Sequence, residues 1–587
     1  MQPVLNVEDI KFVETSLNRS GISISELMHR AGLAVAQEVA HMDGVRRALI
    51  FVGMGNNGGD GWVAAEELLR YDIVPTVVSP VAPESLQSDL ALVAARSAVA
   101  AGVVVQVAPP RAQLEELLFT TDVVVDAMLG TGFRETPTAP FNIWIDAINM
   151  SGVPAVAVDV PSGLSAQTGH VHGACIYADV TVTMIALKPG LLADKGRDAC
   201  GSIVIAPLAE QTEEFVLKAD PVAWRCEASD YLDILPMPTA VVDKYGRGYV
   251  LVVAGSSRYP GAAILAARAA ARAGAGYVSL AVPACIAGIV QTQLVEIPVI
   301  PCPYDADTGT FSEEAHDIIV KLAERADCVL VGPGIRVTAA TTSLCSGLLG
   351  VKVPLVMDAD ALNCLARITE NRLDNYPELV RRNAPLILTP HRRELGRLMG
   401  LPDTPPDSLT SALEAARRIV WADGGSEFTI VAKGNATACV GVESAVLPKP
   451  GPVSLATAGS GDVLAGIIAA RLAKANIDPT QLPLLCAFAC EIHARCALLA
   501  EKTFGTRGVM ANDLVQQLGR ATDALEHLVA VGDADGAGTG GADAGAVSAA
   551  TAGTAGAAGA VTADAQNTSN DTDATSELRR SHKHKEL

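Results

Sequence analysis

Aromatic side chains make up only 4% of this 587-residue sequence, and positive charge is also scarce. The 44 Lys and Arg residues are outnumbered by 65 Asp and Glu, which leaves a formal net charge of -21. A chain this acidic repels nucleic-acid phosphates and anionic membrane surfaces, so neither is an expected partner. Any anionic ligand must therefore be held locally, by backbone N–H groups at helix N-termini and glycine-rich loops.

Signals for secretion and membrane insertion are also missing. Met1–Lys11 has no basic or apolar region of the kind that starts a signal peptide, and charges, Pro or Gly interrupt each apolar stretch. The twelve cysteines include no CxxC pair. Cys486, Cys490 and Cys496 are close in sequence but lie on a predicted apolar helix. We therefore expect buried thiols in a cytoplasmic protein, without a disulfide or cysteine metal site.

Short apolar strands alternate with helical patterns along most of the chain. The predicted strands include Ala48–Val52, Val123–Asp126, Ala155–Asp159, Tyr249–Ala254, Cys328–Val331, Leu355–Asp358 and Leu386–Thr389. The predicted helices include Ser25–Ala40, Trp62–Arg70 and Ala262–Ala273. This alternation is typical of α/β folds in which helices cover both faces of a parallel sheet.

The alternation weakens between Leu208 and Val241, which predicts a junction between two domains. The predicted ranges are a Rossmann-like αβα domain over 1–215, a linker over 216–240, a second αβα domain over 241–525 and a low-complexity tail over 526–587. The tail is rich in Ala, Gly, Thr, Asp and Ser, so we expect it to be disordered. With a separate sheet in each half, we also expect weak coupling between the halves.

A glycine-rich turn follows the first predicted strand. Gly53, Gly55 and Gly58 form a GxGxxG pattern between that strand and a helix, where backbone N–H groups can approach a pyrophosphate. The strand at Val74–Pro80 lacks the acidic residue that binds ribose in dinucleotide-dependent dehydrogenases, which disfavours that class. A tight turn without a ligand remains an alternative interpretation.

Three loops together resemble NAD(P)H-hydrate epimerases over roughly residues 1–215. They are Asn56–Gly61 (NNGGDG), Asp126–Gly132 (DAMLGTG) and Asp159–Leu164 (DVPSGL), and the last two end predicted strands. Ligands of open α/β sheets bind at such strand ends.

The epimerase resemblance implies roles for particular residues. The implied ligands of the hydrated nucleotide are Asn56, Asn57, Gly58, Gly59, Asp60, Gly130, Thr131, Gly132, Phe133, Arg134, Glu135, Thr136 and Asp159. It also implies a potassium ion on the oxygens of Asn57, Asp126 and Ser162, and Asp159 as catalytic acid/base. Taken singly, Asp126 or Asp159 could instead cap the following turn.

A second glycine motif, Gly459-Ser460-Gly461-Asp462, precedes the apolar helix Val463–Ala473. Such a motif can form an anion hole at a helix N-terminus, with Asp462 as a base, although a simple helix cap is an alternative. No GxxxxGK[ST] sequence occurs, which excludes a P-loop enzyme. The motif resembles the ribokinase-like superfamily.

Further motifs over roughly 241–520 look like the ADP-dependent NAD(P)H-hydrate dehydratase branch of that superfamily. They are Gly255–Arg258 with Pro260–Ala263, Val331–Gly334, Asp358–Asn363, Leu388–His391 and Ala432–Thr437. The sequence departs from the family pattern at Arg392 and Arg393, which puts the role of Glu394 in doubt.

The dehydratase resemblance implies two groups of ligand-facing residues. The hydrated nucleotide is implied to meet Ala262, Gly334, His391 and the base Asp462, and ADP to meet Lys433, Gly434, Asn435, Ala436, Thr437 and Gly461. Mg²⁺ is the implied counter-ion of ADP, and ADP rather than ATP is the implied phosphoryl donor. Without the motif, His391 could equally be structural.

Both resemblances concern one damaged cofactor, so the sequence predicts a bifunctional enzyme, an isomerase and a lyase, that repairs hydrated NADH and NADPH. We also expect a homo-oligomer. One alternative is a ribokinase-like kinase for small alcohols or pyrimidines, which explains GSGD but not NNGGDG. Another is a nucleotide-sensing or scaffold protein, which the presence of both Asp159 and Asp462 disfavours.

Overall fold

The computed structural model describes residues 1–535, apart from 87, 236–243, 245, 376–381, 383, 424–426 and 474–477. All of these residues belong to one compact unit. The tail predicted over 526–587 lies outside the described residues, except for the end of the last helix.

The strands within the described ranges are β1 Gln2–Val4, β2 Arg47–Val52, β3 Val74–Ser79, β4 Val104–Val107, β5 Val123–Ala127, β6 Ala155–Val158, β7 Val180–Met184, β8 Ser202–Ala206, β9 Ala223–Arg225, β10 Tyr249–Val253, β11 Tyr277–Pro283, β12 Val299–Cys302, β13 Tyr304–Asp305, β14 Thr310–Phe311, β15 Cys328–Val331, β16 Leu355–Met357, β17 Leu386–Leu388, β18 Phe428–Ala432, β19 Ala438–Val440 and β20 Ala445–Leu447.

The α-helices within the same ranges are α1 Val7–Arg19, α2 Ile24–Ala40, α3 Asn56–Leu68, α4 Asp89–Ala100, α5 Arg111–Phe119, α6 Phe141–Ser151, α7 Pro189–Leu192, α8 Lys195–Ala199, α9 Thr212–Lys218, α10 Pro260–Arg272, α11 Ala284–Gln293, α12 Ala315–Ala323, α13 Ala339–Leu349, α14 Asp360–Ile368, α15 Arg392–Leu398, α16 Leu409–Asp423, α17 Ser460–Leu472, α18 Leu482–Phe504 and α19 Ala511–Asp535. The strands and helices predicted from periodicity all occur, and most of their ends differ by one to three residues. The exception is α3, which begins at Asn56 and not at Trp62, so the NNGGDG segment expected to be a loop forms the first turns of this helix.

The first half of the chain forms a parallel seven-stranded sheet in the order β4-β3-β2-β5-β6-β7-β8. Its central strands β5 and β6 are buried along their whole length, as their continuous apolar sequences require. Separate apolar clusters cover the two faces of the sheet. The strand order reverses between β2 and β5, so the crevice beyond their carboxyl ends is the expected ligand site.

The second half is organised around an eleven-stranded sheet in the order β1-β9-β20-β19-β18-β17-β16-β15-β10-β11-β12. Seven neighbouring strands of this sheet are parallel, namely β18, β17, β16, β15, β10, β11 and β12. β19 runs antiparallel to both β18 and β20. Large apolar clusters again cover both faces. Both halves are therefore α/β with three αβα layers, as the sequence predicts.

The expectation of one separate sheet for each half is wrong. β1, from the first half, pairs antiparallel with β9, and β9 pairs parallel with β20 at the edge of the second sheet. The predicted linker 216–240 thus contains a strand and a 3₁₀ helix, Ala228–Ile234. α9 also crosses the predicted limit at 215, and α19 continues past 525. β1 and β9 are as short as β16 and β17, but those two are wholly apolar, whereas β1 contains Gln and Pro and β9 contains Arg, so neither gives an apolar run in the sequence.

The structure shows where the most apolar helix and the cysteines lie. Within the described residues, one helical stretch, Pro479–Phe504, is long and apolar enough to cross a membrane, but 78% of its most apolar window is buried inside the protein. Packing against the second sheet explains that composition. All twelve cysteines are described; they are free thiols, and each is buried except Cys285.

Candidate functional site

The turn after β2 is formed by glycines that allow very close backbone contacts. A Cβ on Gly53 would lie 1.9 Å from the Met128 carbonyl oxygen, and a Cβ on Gly58 would lie 2.1 Å from the Gly53 carbonyl oxygen. A Cβ on Gly130 would lie 3.1 Å from Asn57 Cγ. The NNGGDG segment, at the start of α3, therefore contacts the DAMLGTG segment, as expected for ligand-binding segments at the ends of β2 and β5.

Asp126 and Ser162 form a buried polar pair between two of the three loops. Asp126 Oδ1 accepts a hydrogen bond of 2.6 Å from Ser162 Oγ, and Asp126 Oδ2 accepts one of 2.7 Å from the Ser162 backbone N–H. Burial raises the pKa of Asp126 to about 6, against the lowering effect of these hydrogen bonds. Asp126 also accepts from the Met128 N–H at 3.2 Å, so the turn-capping interpretation holds as well.

The three implied potassium ligands fit a hard cation in their chemistry. Asp126 is fully buried and has no ion pair among the described residues. The Asn57 amide nitrogen is buried and finds no hydrogen-bond partner within those same residues. Carboxylate, hydroxyl and amide oxygens are the donors that such cations prefer. No group of three or more His, Cys, Asp or Glu side chains in the described ranges could hold a metal ion by itself.

Asp159 contacts a lysine and does not cap its own turn. It follows β6 with a positive φ of 66°, and its Oδ1 lies 2.5 Å from Lys188 Nζ. The same oxygen accepts from the Met184 backbone N–H at 3.1 Å. Lys188 is completely buried and also donates to Thr183 Oγ1 at 2.8 Å. The side chain of Asp159 remains 14% exposed, which leaves a route for a substrate.

Two further carboxyl groups share this electrostatic environment. Burial, reinforced by the charges of Asp159 and Glu14, raises the pKa of Asp60 well above its usual range. Burial and Asp159 also raise the pKa of Glu14, on α1, despite the nearby Lys188. The arrangement combines an ion-paired carboxylate with neighbours that favour the protonated form, which suits proton transfer.

A cavity of about 610 Å³ lies beside this first site. Its lining includes Thr131, Phe133, Arg134 and Glu135 from the implied nucleotide loop, and Glu414 from the second half. The other implied ligands do not line it: Asn56–Asp60 at the start of α3, Gly130, Gly132, Thr136 and Asp159. In α3, Asn56 accepts a hydrogen bond of 2.6 Å from Ser88, and a Cβ on Gly59 would lie 2.5 Å from Met28. Gly59 therefore serves close helix packing.

The GSGD motif forms the N-terminus of α17. Gly459 is the N-cap residue with a φ of 87°, and Asp462 lies in the first helical turn. Burial, followed by the charge of Asp358, raises the pKa of Asp462 to about 7, while Lys433 lowers it. A carboxyl group that titrates near neutral pH is well suited to act as a general base.

Lys433 and Asp358 form an ion pair next to Asp462. Lys433 Nζ lies 2.8 Å from Asp358 Oδ1, which also accepts a hydrogen bond of 2.6 Å from Thr389 Oγ1. Burial lowers the pKa of Lys433, but the charges of Asp358, Glu394 and other carboxylates outweigh the effect of burial, so the pKa of Lys433 is raised. A Cβ on Gly461 would lie 3.4 Å from Lys433 Nζ. The structure therefore brings Lys433, Gly461 and Asp462 together.

His391 has an observed structural role. Its Nδ1 accepts from the backbone N–H groups of Arg393 and Glu394, at 3.1 and 3.3 Å, and so caps α15. The backbone N–H of His391 donates to Glu394 Oε2 at 2.9 Å, which completes a capping box. Burial raises the pKa of Glu394 to about 7. His391 is 51% exposed, so contact with a nucleotide stays a prediction.

The remaining implied ligands of the second half lie in two places. A Cβ on Gly334, where φ is 68°, would lie 3.2 Å from Ala262 Cβ, so these two residues adjoin. Gly434 and Asn435 are exposed and Thr437 is half-buried. Ala436 lines a cavity of about 260 Å³ between the halves, together with Arg197 and Arg225.

The sequence did not assign roles to Lys188, Glu14 or Asp358. Lys188 opens a Lys-Pro-Gly sequence soon after β7, and Asp358 directly follows β16. A charged residue near the carboxyl end of a parallel strand was the available signal. Glu14 lies on an ordinary amphipathic helix and gave no signal.

Comparison with known proteins covers both halves of the chain. A family model described as NAD(P)H-hydrate dehydratase matches residues 250–520, and one described as YjeF-related protein N-terminus matches residues 24–190.

Curated relatives match along most of their length. The bifunctional NAD(P)H-hydrate repair enzyme Nnr of Moorella thermoacetica is 35% identical over 518 residues, which cover 86% of this chain and 93% of the relative. The Escherichia coli K12 enzyme of the same name is 32% identical, over 85% of this chain and 90% of its own.

A solved structure resembles part of the chain. The ADP/ATP-dependent NAD(P)H-hydrate dehydratase of Bacillus subtilis, co-crystallised with ATP/Mg²⁺, is 26% identical, with a TM-score of 0.42, and the match covers 52% of this chain and 99% of that one. The assignment therefore rests on the sequence matches. By those matches, the chain belongs to the family of bifunctional NAD(P)H-hydrate repair enzymes.

Proposed function

We propose that the chain repairs hydrated NADH and NADPH in two linked steps. The first half interconverts the R and S hydrates, and the second half dehydrates the S form with ADP as phosphoryl donor. One observation carries the proposal: a single chain matches both families, and each half holds a half-buried carboxylate near a lysine at the expected strand or helix end.

In the first half, Asp159 is the proton acceptor at the hydrated ring. The contact with Lys188 fixes the orientation of this carboxylate. Burial, with the charges of Asp159 and Glu14, raises the pKa of Asp60, which favours its protonated form. Thr131, Phe133, Arg134 and Glu135 line the adjacent cavity, which accommodates the rest of the nucleotide.

In the second half, Asp462 removes the proton from the hydroxyl group at C6 of the hydrated nicotinamide ring. The freed oxygen attacks the β-phosphorus of ADP, an O–P bond forms, and AMP leaves. Backbone N–H groups at the start of α17 stabilise the charge that develops on the transferred phosphoryl group. The phosphate then leaves C6, a proton leaves C5, and the C5=C6 double bond of the dihydronicotinamide is restored.

Two metal ions fit the residues present. The oxygens of Asn57, Asp126 and Ser162 would hold potassium in the first half. In the second half, burial is the main cause of the raised pKa of both Asp360 and Asp462, and the charge of Asp358 adds to it at both, so the three carboxylates lie near one another. Those carboxylates would adjoin Mg²⁺ on the diphosphate, where it neutralises phosphate charge.

The preference for ADP over ATP rests on family resemblance. A homo-oligomeric state and a cytoplasmic location are further parts of the proposal, the location because the cysteines are free thiols and all but Cys285 are buried. Turnover with each nucleotide, freed of contaminating ADP, tests the first, and light scattering tests the second.

The proposed function is tested with purified protein and hydrated NADH. Added ADP should restore absorbance at the reduced-nicotinamide band until both epimers are consumed. Restoration that slows, once the S form is consumed, to the rate of spontaneous epimerisation of the R form would remove the epimerase assignment. No restoration with ADP or ATP would remove the dehydratase assignment.

A further inference from the structure

A short stretch of the first half, from Lys188 to Asp194, contacts both candidate sites. Lys188 at its start lies 2.5 Å from Asp159 in the first site. Asp194 at its end accepts a charged hydrogen bond of 2.7 Å from Arg392 Nη2, in the second half. Arg392 directly follows His391, so one stretch of chain links the two sites.

The backbone of this stretch is held tightly. A Cβ on Gly190 would lie 2.1 Å from the Ser165 carbonyl oxygen, and a Cβ on Gly196 would lie 1.7 Å from the Gly190 carbonyl oxygen. Just before the stretch, the Leu187 N–H donates to the carbonyl of Pro3, in β1, at 3.1 Å. The surrounding backbone therefore packs closely enough to restrict the position of Asp194.

Asp194 has an unusual conformation and environment for an aspartate. Its φ is 53° and its ψ is -126°, a combination that costs free energy for any residue with a Cβ. The side chain is 15% exposed, and its Oδ2 is buried without a hydrogen-bond partner in the described part of the chain. Its Oδ1 also accepts from Asn435 Nδ2 at 3.4 Å. Strain at a contact between two halves points to a functional constraint.

The partners of Asp194 hold the loop that the family resemblance assigns to ADP. The Arg392 guanidinium lies against this loop, since a Cβ on Gly434 would be 3.5 Å from Arg392 Nε. Arg392 also donates to the Asp407 carbonyl at 2.9 Å. At the start of the loop, the Lys433 N–H donates to the Pro390 carbonyl at 2.8 Å. Movement of Arg392 would therefore displace Lys433, which lies beside Asp462.

We propose that Asp194 is a positioning residue that the epimerase half supplies to the nucleotide loop of the dehydratase half. Through Arg392 and Asn435 it holds residues 433–437 in the conformation that binds ADP. This inference rests on the proposed function, because it takes that loop as the ADP site. It also explains a benefit of fusing the two activities, since the second half alone would lack this support.

The test is Asp194→Asn in the full-length chain. Asparagine has nearly the same size and tolerates positive φ, so the backbone should be retained, but the charge that pairs with Arg392 is lost. The affinity for ADP, measured by calorimetry, should fall about tenfold, a typical size for coupling between parts of a protein. KM for ADP should rise by a similar factor. The rate of epimerisation and KM for the S hydrate should change little. Asp198→Asn, an exposed position on α8, is the matched control.

A second variant tests the same contact from the other side. Arg392→Gln should weaken ADP binding similarly, and the double variant should be no worse than the weaker-binding single variant, because both remove one interaction. Unchanged ADP affinity in both single variants would overturn the inference, as would additive losses or a wild-type chain that binds no ADP. Weaker ADP binding in the variants would support it even if the wild type proved unable to convert the hydrates, in which case only the proposed function would fail.

Discussion

Each candidate catalytic carboxylate lies near a lysine, but the two lysines act differently. Lys188 contacts Asp159 directly, at 2.5 Å. Lys433 is instead paired with Asp358, at 2.8 Å, and reaches Asp462 only through its charge. The pKa of Asp462 is therefore raised by burial and Asp358, with partial compensation from Lys433. The two carboxylates should consequently respond differently to pH and to loss of the lysine.

Dehydration should depend on pH through Asp462. This base works only when ionised, and its pKa is raised to about 7, so kcat should fall as the pH is lowered through neutrality and level off above it. The kcat for the S hydrate at saturating ADP, measured across the neutral range, checks this. A kcat that rises as the pH falls would contradict the base role. Asp462→Asn should show a low rate without this dependence.

Replacing Lys188 by methionine should impair epimerisation selectively. The change keeps a buried side chain of similar length but removes the cation that contacts Asp159, so the carboxylate loses the contact that orients it. We expect a loss of about 10²-fold in epimerisation with dehydration retained, the range for general acid–base catalysis. Lys195→Met, at an exposed position nearby, is the matched control. Wild-type epimerisation in Lys188→Met would contradict the role given to this lysine.

The sequence could identify Asp159 and Asp462 because each lies in a motif at the end of a strand or the start of a helix. It could not identify Lys188 as the partner of Asp159. The two residues are separated by β7 and its flanking turns, and only the parallel pairing of β6 with β7 brings them together. Partners that depend on strand pairing leave no pattern in a single sequence.

At the scale of elements, the central strands were predictable and the edge strands were not. β2, β5 and β6 are apolar runs buried on both faces, which the sequence displays directly. β1 and β9 contain three residues each, and their place in the second sheet depends on contacts across more than two hundred positions. The predicted junction near Leu208–Val241 therefore missed the exchange of strands between the halves.

β1 should contribute to the stability of the second half. Val4 is fully buried in the apolar cluster on one face of the second sheet. Val4→Ala should lower the free energy of unfolding by about 2 kcal/mol, from lost burial and the cavity left behind. Unfolding in denaturant, monitored by the loss of dehydratase activity, measures this change. Val93→Ala on α4, where the side chain is 61% exposed, should have almost no effect. Equal stability of the two variants would contradict a structural role for β1.

At the scale of the whole molecule, the two halves are joined by more than a connecting segment. They share the second sheet through β1, and polar contacts link Gln167 with Thr410 and Arg417 with the Val222 carbonyl. The contact between Asp194 and Arg392 adds a charged link close to the second site. The shared sheet removes the structural reason for expecting weak coupling between the halves, and the independence of the two activities stays a prediction.

The central claim, two separate active sites for one damaged cofactor, is tested most directly by following each epimer in Asp159→Asn and Asp462→Asn. With ADP present, Asp159→Asn should consume the S hydrate at close to the wild-type rate, while the R hydrate disappears only as fast as it epimerises spontaneously. Asp462→Asn should reduce dehydration by about 10²–10⁴-fold while R and S still interconvert. If either variant lost both activities while remaining folded by circular dichroism, the two-site account would be wrong.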